Sequence, residues 1–438
     1  MKRKVMKRGF MKKVTAFVFA AVLLLANTVS AQAENVSPGN ASVENPNGDM
    51  LGSEIIRNDE TGIPDKNLYD AVLEQCDSNN DGVLTKSEAA SAEQLSYGGG
   101  GISNLQGIQY CTGLKKISLY NNHQQIGDIT PLASLSNLTH LQLHMTDISD
   151  ISALSSLVNL ESLNLEANQI MDISALSALT NLTYLSIGWN ELKDISPLSS
   201  LTNLKHLYLE ASYISDIRPL SPLTNLEILD LSGNHISDVS ALSSLTNLRE
   251  LSLGDEGGIF YPNCISDISA LSSLTNLKRL DLCGNQISDI SALSSLTNLE
   301  SLNLCENQIS DIGALSSLEN LKYLFLSGNS ISDVSPLVNL TRLENLSLDG
   351  NKITNVSVLS SLPNLKWLNL NGNGTNDIGV LTAKAPEASK IATPKNAVKT
   401  AAPKTGDTTP IAFYAILMIA AVAGSIVVYR KRYSATDK

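Results

Sequence analysis

Apolar residues return along most of this chain in one fixed order, L-x-x-L-x-L-x-x-N-x-I-x-D-I-x-x-L, with a period of 22 residues. Units open at Leu114, Leu138, Leu160, Leu182, Leu204, Leu226, Leu248, Leu277, Leu299, Leu321, Leu343 and Leu365. The step lengthens to 24 after Leu114 and to 29 after Leu248, which places short insertions near His123 and around residues 255–261. A weaker thirteenth unit opens at Ala92, with Leu95, Ile102 and Leu105 in phase. Leucines at unit positions 4 and 6, such as Leu163 and Leu165, alternate with polar residues. That alternation predicts a short strand with one buried face. The following Asn (Asn168) is suited to bonding backbone groups in a bend. The Asp further on (Asp172) stands just before Ile-Ser-Ala-Leu and predicts a capped short helical turn.

One unit cannot bury its own apolar edge, whereas stacked units can. The pattern therefore predicts an α/β fold: a leucine-rich-repeat solenoid over residues 92–381, right-handed and curved. Its parallel β-sheet lies on the concave side and its short 3-10 or helical turns on the convex side. At about 4.8 Å per strand, thirteen units make an arc of about 60 Å. Asn recurs in ten of the twelve clean units, with Thr146 and Ser212 as exceptions, and Asp in eleven, with Asn355 as the exception. Backbone N–H groups, not a metal array, are the expected partners of the Asp row.

Ahead of the repeats, residues 34–60 are polar and expected to be flexible. A small helical cap is expected over residues 61–91, where Ile63-Pro64-Asp65 opens a helical pattern through Leu68, Val72 and Leu73. Residues 77–88 match a twelve-residue calcium loop. Asp77, Asn79 and Asp81 stand at positions 1, 3 and 5, Gly82 at the turn, Val83 at the carbonyl position, Thr85 at position 9 and Glu88 at position 12. A Ca2+ ion is one expectation. The same Thr85-x-x-Glu88 is also a helix capping box, so two readings stand.

Both ends carry targeting signals. A basic start, the apolar run Val14 to Ala26 and Ala31-Gln32-Ala33 read as a signal peptide over residues 1–33, cleaved after Ala33. An uncleaved anchor is the other reading. Residues 382–401 are rich in Ala, Lys, Pro and Thr and read as a linker. Within residues 402–438, Pro403, Lys404, Thr405 and Gly406 precede an apolar stretch at 411–429 and a basic tail. That stretch is long enough to cross a bilayer.

Charge narrows the function. Residues 34–383 hold 15 basic and 40 acidic residues, a net charge near −25, which argues against nucleic-acid binding. None of the five histidines sits in a metalloprotease or nucleophile motif, and no Gly-rich phosphate loop is present, so no enzyme is expected. Export permits disulfides. Cys283 with Cys305, at the same place in adjacent units, and Cys76 with Cys111 are the candidate pairs. Side chains that alternate with the buried leucines must face the concave groove. There His140 and His144 sit four apart on one strand, followed by Tyr184, by His206 and Tyr208, and by Trp189 at the groove edge. Tyr323, Phe325 and Trp367 form a second, smaller group. Exposed aromatics mark interfaces, and the nearby Glu166 and Glu210 favour a partner with basic patches.

The C-terminal order resembles a Gram-positive sortase sorting signal, with Ala402 where Leu is usual; a permanent single-pass anchor is the alternative. The whole sequence resembles the internalin family: signal, helix–loop–helix cap, 22-residue repeats and sorting tail. It lacks the immunoglobulin-like domain that many internalins carry after the repeats. The resemblance implies an adhesin, joined through Thr405 to peptidoglycan by sortase, with a monomeric ectodomain that holds an extracellular protein on its concave face. A glycan- or mucin-binding module is the alternative.

Overall fold

The computed structural model describes residues 54–98, 101–120, 126–255 and 263–374. The signal peptide, the linker, the sorting motif with its apolar stretch, and the two insertions apart from Asp255 lie outside the described residues. Among the described residues no helix is long and apolar enough to cross a membrane.

Thirteen parallel strands form one curved, unclosed sheet in strict chain order. They are β1 (Gln94–Gly98), β2 (Lys116–Tyr120), β3 (His140–Gln142), β4 (Ser162–Asn164), β5 (Tyr184–Ser186), β6 (His206–Tyr208), β7 (Ile228–Asp230), β8 (Glu250–Ser252), β9 (Arg279–Asp281), β10 (Ser301–Asn303), β11 (Tyr323–Phe325), β12 (Asn345–Ser347) and β13 (Trp367–Asn369). The register pairs like positions, so Leu163 meets Leu185 and Tyr184 meets His206. The return path of each coil is a 3-10 turn, for example Ser174–Ala178, closed where Leu176 N donates to Ile173 O at 3.0 Å.

The coil that opens at Leu160 shows how the pattern becomes a core. Leu160, Leu163, Leu165, Ile170, Ile173, Leu176 and Leu179 are all buried. Truncating any one to Ala costs about 2–5 kcal/mol. The Asn row binds coil to coil. Asn190 Oδ1 accepts from Ile170 N at 2.9 Å, while Asn190 Nδ2 donates to the carbonyls of Leu165 and Ile187. Thr146 replaces this Asn in its own coil and donates through Oγ1 to Leu143 O. The Asp row does something more local: Asp172 Oδ1 accepts from Ser174 N at 2.8 Å, and its equivalents repeat that bond. No group of three or more His, Cys, Asp or Glu placed to hold a metal occurs among the described residues.

The N-terminal end is closed by α1 (Lys66–Cys76) and α2 (Lys86–Ser91). Asp65 caps α1 through Asn67 N and Leu68 N, and its other oxygen accepts from Ser103 N and Asn104 N in the first coil. The expectation of a flexible lead over residues 34–60 fails for its last part. Ile55 bridges Thr85, and Ile56 is buried with its N–H donating to Leu84 O, because two adjacent isoleucines have an apolar cap to cover. At the far end, Leu365, Leu368 and Leu370 of the last described coil are half-buried.

Candidate binding face on the concave sheet

The strand side chains that alternate with the leucines form rows across the sheet. Ser, Asn and Asp fill many of these places, and aromatic rings fill both places on β6 and β11 and one each on β5 and β13. The Tyr184 and Tyr208 rings lie 5.6 Å apart at 44°, and His206 meets Tyr184 edge-on at 6.2 Å. His140 begins β3, two strands from Tyr184 through Ser162, and Thr139 Oγ1 lies 2.9 Å from its Nδ1. His144 is not on a strand. β3 ends at Gln142, and His144 falls in the following turn, beside Met145 at φ 58°. The expected His140–His144 strand pair is therefore broken, because these strands are three residues long and the bend begins at once. Burial lowers the His144 pKa. Trp189 sits in the bend after β5 at φ 59°, and its N–H donates to Glu210 O at 2.7 Å.

Three carboxylates neighbour the tyrosines: Glu210, Glu166 two coils before it and Asp230 in the next coil. Burial raises the pKa of each, and for Glu166 and Glu210 the neighbouring acids add to it. Burial, then Asp230 and Glu166, push Glu210 up to about 8. Its carboxyl lies over Gly188, where an added Cβ would stand 2.5 Å from Oε2. That Oε2 is buried without a hydrogen-bond partner. Burial first, then the charges around it, push the Tyr208 phenol up to about 12. Asp230 Oδ1, in contrast to Glu210 Oε2, accepts from Ser232 N at 2.9 Å, and other acids on this face also have internal partners. Glu250 pairs with Arg279, Asp281 accepts from Cys283 N and Asn303 Nδ2, and Asp349 accepts from the Ser327 and Ser347 hydroxyls. Among the described residues no ion pair reaches Glu166, Glu210 or Asp230. Sequence reasoning missed Asp230; the signal was there, since it occupies in β7 the place Tyr208 holds in β6.

Further along, Tyr323 and Trp367 are exposed on β11 and β13, with Asn345 between them. Cys283 and Cys305 are joined as a disulfide across β9 and β10 coils, with Cα atoms 4.6 Å apart. Cys76 and Cys111, the other candidate pair, are buried free thiols. Burial pushes the Cys111 thiol up to about 12 and so disfavours the thiolate that disulfide exchange needs.

In the calcium-loop sequence the oxygens turn to their own chain. Asp77 accepts from Asp81 N and Gly82 N, Asn79 from Asp81 N, and Asp81 from Val83 N. Glu88 completes the capping box: its Oε2 accepts from Thr85 N and Thr85 Oγ1, its Oε1 from Ser78 Oγ, and Thr85 Oγ1 accepts from Glu88 N. Those bonds hold the Glu88 pKa below its ordinary value. This geometry bears out the capping-box reading of Thr85 and Glu88, and among the described residues no three or more His, Cys, Asp or Glu are grouped to hold a metal.

Comparison with known proteins agrees with this architecture. The family Leucine Rich repeats (2 copies) matches residues 136–178, 180–222, 224–273, 259–296 and 297–339. The crystal structure of an internalin, inlF of Listeria monocytogenes, is 35% identical; the match covers 80% of this chain and 100% of that one, with a TM-score of 0.71. The functional domain of InlJ from the same organism, which includes a cysteine ladder, is 23% identical over 73% of this chain and 72% of its own, with a TM-score of 0.59. A leucine-rich-repeat protein of Leptospira interrogans is 23% identical over 71% and 94%, with a TM-score of 0.52. No curated protein sequence matches the chain.

Proposed function

The chain belongs to the internalin family, whose leucine-rich-repeat fold is typically a non-enzymatic scaffold for protein interaction, and from that premise we propose that it is a bacterial surface adhesin that holds a protein partner on its concave face. The observation that carries this reading is the contact of Tyr184, His206 and Tyr208 on the concave face. A solvated repeat has no need of clustered aromatics, whereas binding hot spots are rich in them. The signal peptide exports the body, and sortase joins Thr405 to peptidoglycan, leaving a monomeric ectodomain outside the cell.

An array of proteins and glycans probed with the full chain tests the reading. A protein hit should weaken by about 1–2 kcal/mol or more in Tyr184→Ala and in Tyr208→Ala. Full affinity in the double variant, with an unchanged melting curve, moves the site off this surface; glycan hits alone replace the protein partner by a sugar. For anchoring, wall digestion should release protein that ends at Thr405 and carries a peptidoglycan fragment. Intact Lys438 in the membrane fraction sinks it.

A further inference from the structure

We propose that the concave face receives one cationic side chain, a lysine or arginine of the protein partner, between the Tyr184 and Tyr208 rings and the carboxylates of Glu166, Glu210 and Asp230. This rests on the concave-face reading above and names the chemistry that the face recognises.

Two independent features of the same place converge on a cation. The first is the tilted tyrosine pair, whose rings are 5.6 Å apart. An ammonium or guanidinium within about 6 Å of such a ring is drawn to its face. The second is the state of the neighbouring carboxylates. The other acids on this sheet already have an internal donor, whereas Glu210 Oε2 is buried with none. A buried acceptor without a donor is costly, and a charged donor is the strongest remedy. Lysine and arginine carry that donor, and their apolar stems suit contact with the rings.

The groups that face Glu210 set the proton coupling. Glu166 comes from the β4 coil, Tyr184 from β5, Tyr208 from β6, Asp230 from β7 and Glu250, held by Arg279, from β8. No positive group among these is left to pair with Glu210, and burial, then Asp230 and Glu166, push its pKa up to about 8. A docked cation replaces the proton that Glu210 holds below that value: the Glu210 O–H bond breaks, the proton passes to solvent, and the carboxylate pairs with the ammonium or guanidinium. Affinity therefore rises with pH across the range in which Glu210 ionises.

The test uses the full chain and three blocked tripeptides, with lysine, arginine or norleucine between two glycines. Ring signals of Tyr184 and Tyr208 are followed by NMR from pH 6 to pH 9. The lysine and arginine peptides should shift both rings saturably and the norleucine peptide should not. Affinity should climb close to tenfold per pH unit below about 8 and then level off. Glu210→Gln should bind several-fold more weakly with a shallower pH dependence, left to Glu166 and Asp230. Gly188→Ala, which displaces the same carboxyl without removing it, should move the midpoint to lower pH. Equal binding of the norleucine peptide, affinity flat with pH in the unaltered chain, or no shift at pH 9 with millimolar lysine peptide each overturns the proposal. The two readings separate on an array-derived partner. Loss of binding in Tyr184→Ala and Tyr208→Ala with indifference to Glu210→Gln and to pH keeps the concave face and discards the cation; indifference to all three variants discards both.

Discussion

The carboxyl of Glu210 rests on the bare Cα of Gly188 one coil back, so close that a methyl group at Gly188 would collide with both of its oxygens. The fold thereby holds a carboxyl that prefers to stay protonated, raised from 4.5 to about 8 by burial, Asp230 and Glu166. Between those two pH values the folded chain binds more protons than the unfolded chain. Stability from this group is thus fully present below pH 4.5 and is lost as pH rises through about 8. Urea unfolding should show stability falling by a few kcal/mol, up to about 4, between pH 5 and pH 8. Glu210→Gln should flatten that slope; a slope unchanged in the variant assigns it elsewhere.

Gly188→Ala is expected to alter the titration of Glu210, and stability only where that group ionises. Gly188 has no left-handed backbone to protect, and the atoms an added Cβ meets belong to the end of a flexible side chain. The Glu210 carboxyl, pushed off its seat, titrates nearer to an ordinary glutamate, so the melting temperature should hardly change near pH 4 and should rise relative to the unaltered chain toward pH 8. Carboxyl NMR against pH reads this directly.

The two repeated polar rows should respond very differently to truncation. Asn190→Ala leaves Ile170 N without its acceptor and the Leu165 and Ile187 carbonyls without a donor, all inside the core. The cost should be about 3 kcal/mol by denaturant midpoint. Asp289→Ala removes one bond to Ser291 N at the surface, where water substitutes, and should leave the midpoint nearly unchanged. Comparable losses in the two variants would mean that the Asp turns carry more of the fold than their geometry shows.

For the cap, the capping box decides the expectation. Thr85→Ala should cost about 1 kcal/mol by loss of the α2 cap, equally in calcium and in chelator. A calcium-dependent rise in melting temperature that vanishes in Glu88→Ala would mean that Glu88 leaves the box to take a metal.

The Cys283–Cys305 bond closes a loop of 22 residues between neighbouring coils. Peptide mapping without reduction should recover the two cysteines cross-linked, and Cys76 and Cys111 as thiols. Cys283→Ser with Cys305→Ser should destabilise by about 3 kcal/mol in the chain-entropy account. Alkylation of both native residues without reduction would contradict the bond.

The repeat was legible because each of its positions does one job. Leu163 and Leu165 alternate because a strand has two faces, and Asn168 recurs because a bend leaves backbone groups unmet. Strand length was harder to read. Nothing in the polar positions after Gln142 marks where pairing stops, so His144 was placed on a strand that had already turned. Ile55 and Ile56 were lost in a polar stretch because two residues make no period, although two suffice to cover a small cap. Glu210 could be read as acidic, but its charge state depends on Gly188 in another coil and on Asp230 in a third, and neither relation is local in sequence.

The uniform register of the coils also bears on how such a chain can change length. One coil is 22 residues, or 66 nucleotides, and stretches such as Ser-Asp-Ile-Ser-Ala-Leu-Ser-Ser-Leu-Thr-Asn-Leu occur twice without alteration, at 266–277 and 288–299. Misaligned recombination between two such copies inserts or deletes a whole coil in frame. The product gains or loses one strand and one asparagine rung, and about 4.8 Å of length, while the helical cap is untouched. The leucines are interchangeable in that exchange and the concave side chains are not. Each event therefore resets the distance between the Tyr184–Tyr208 pair and the Tyr323–Trp367 group in fixed steps, a vernier along which spacing can evolve while the core stays the same.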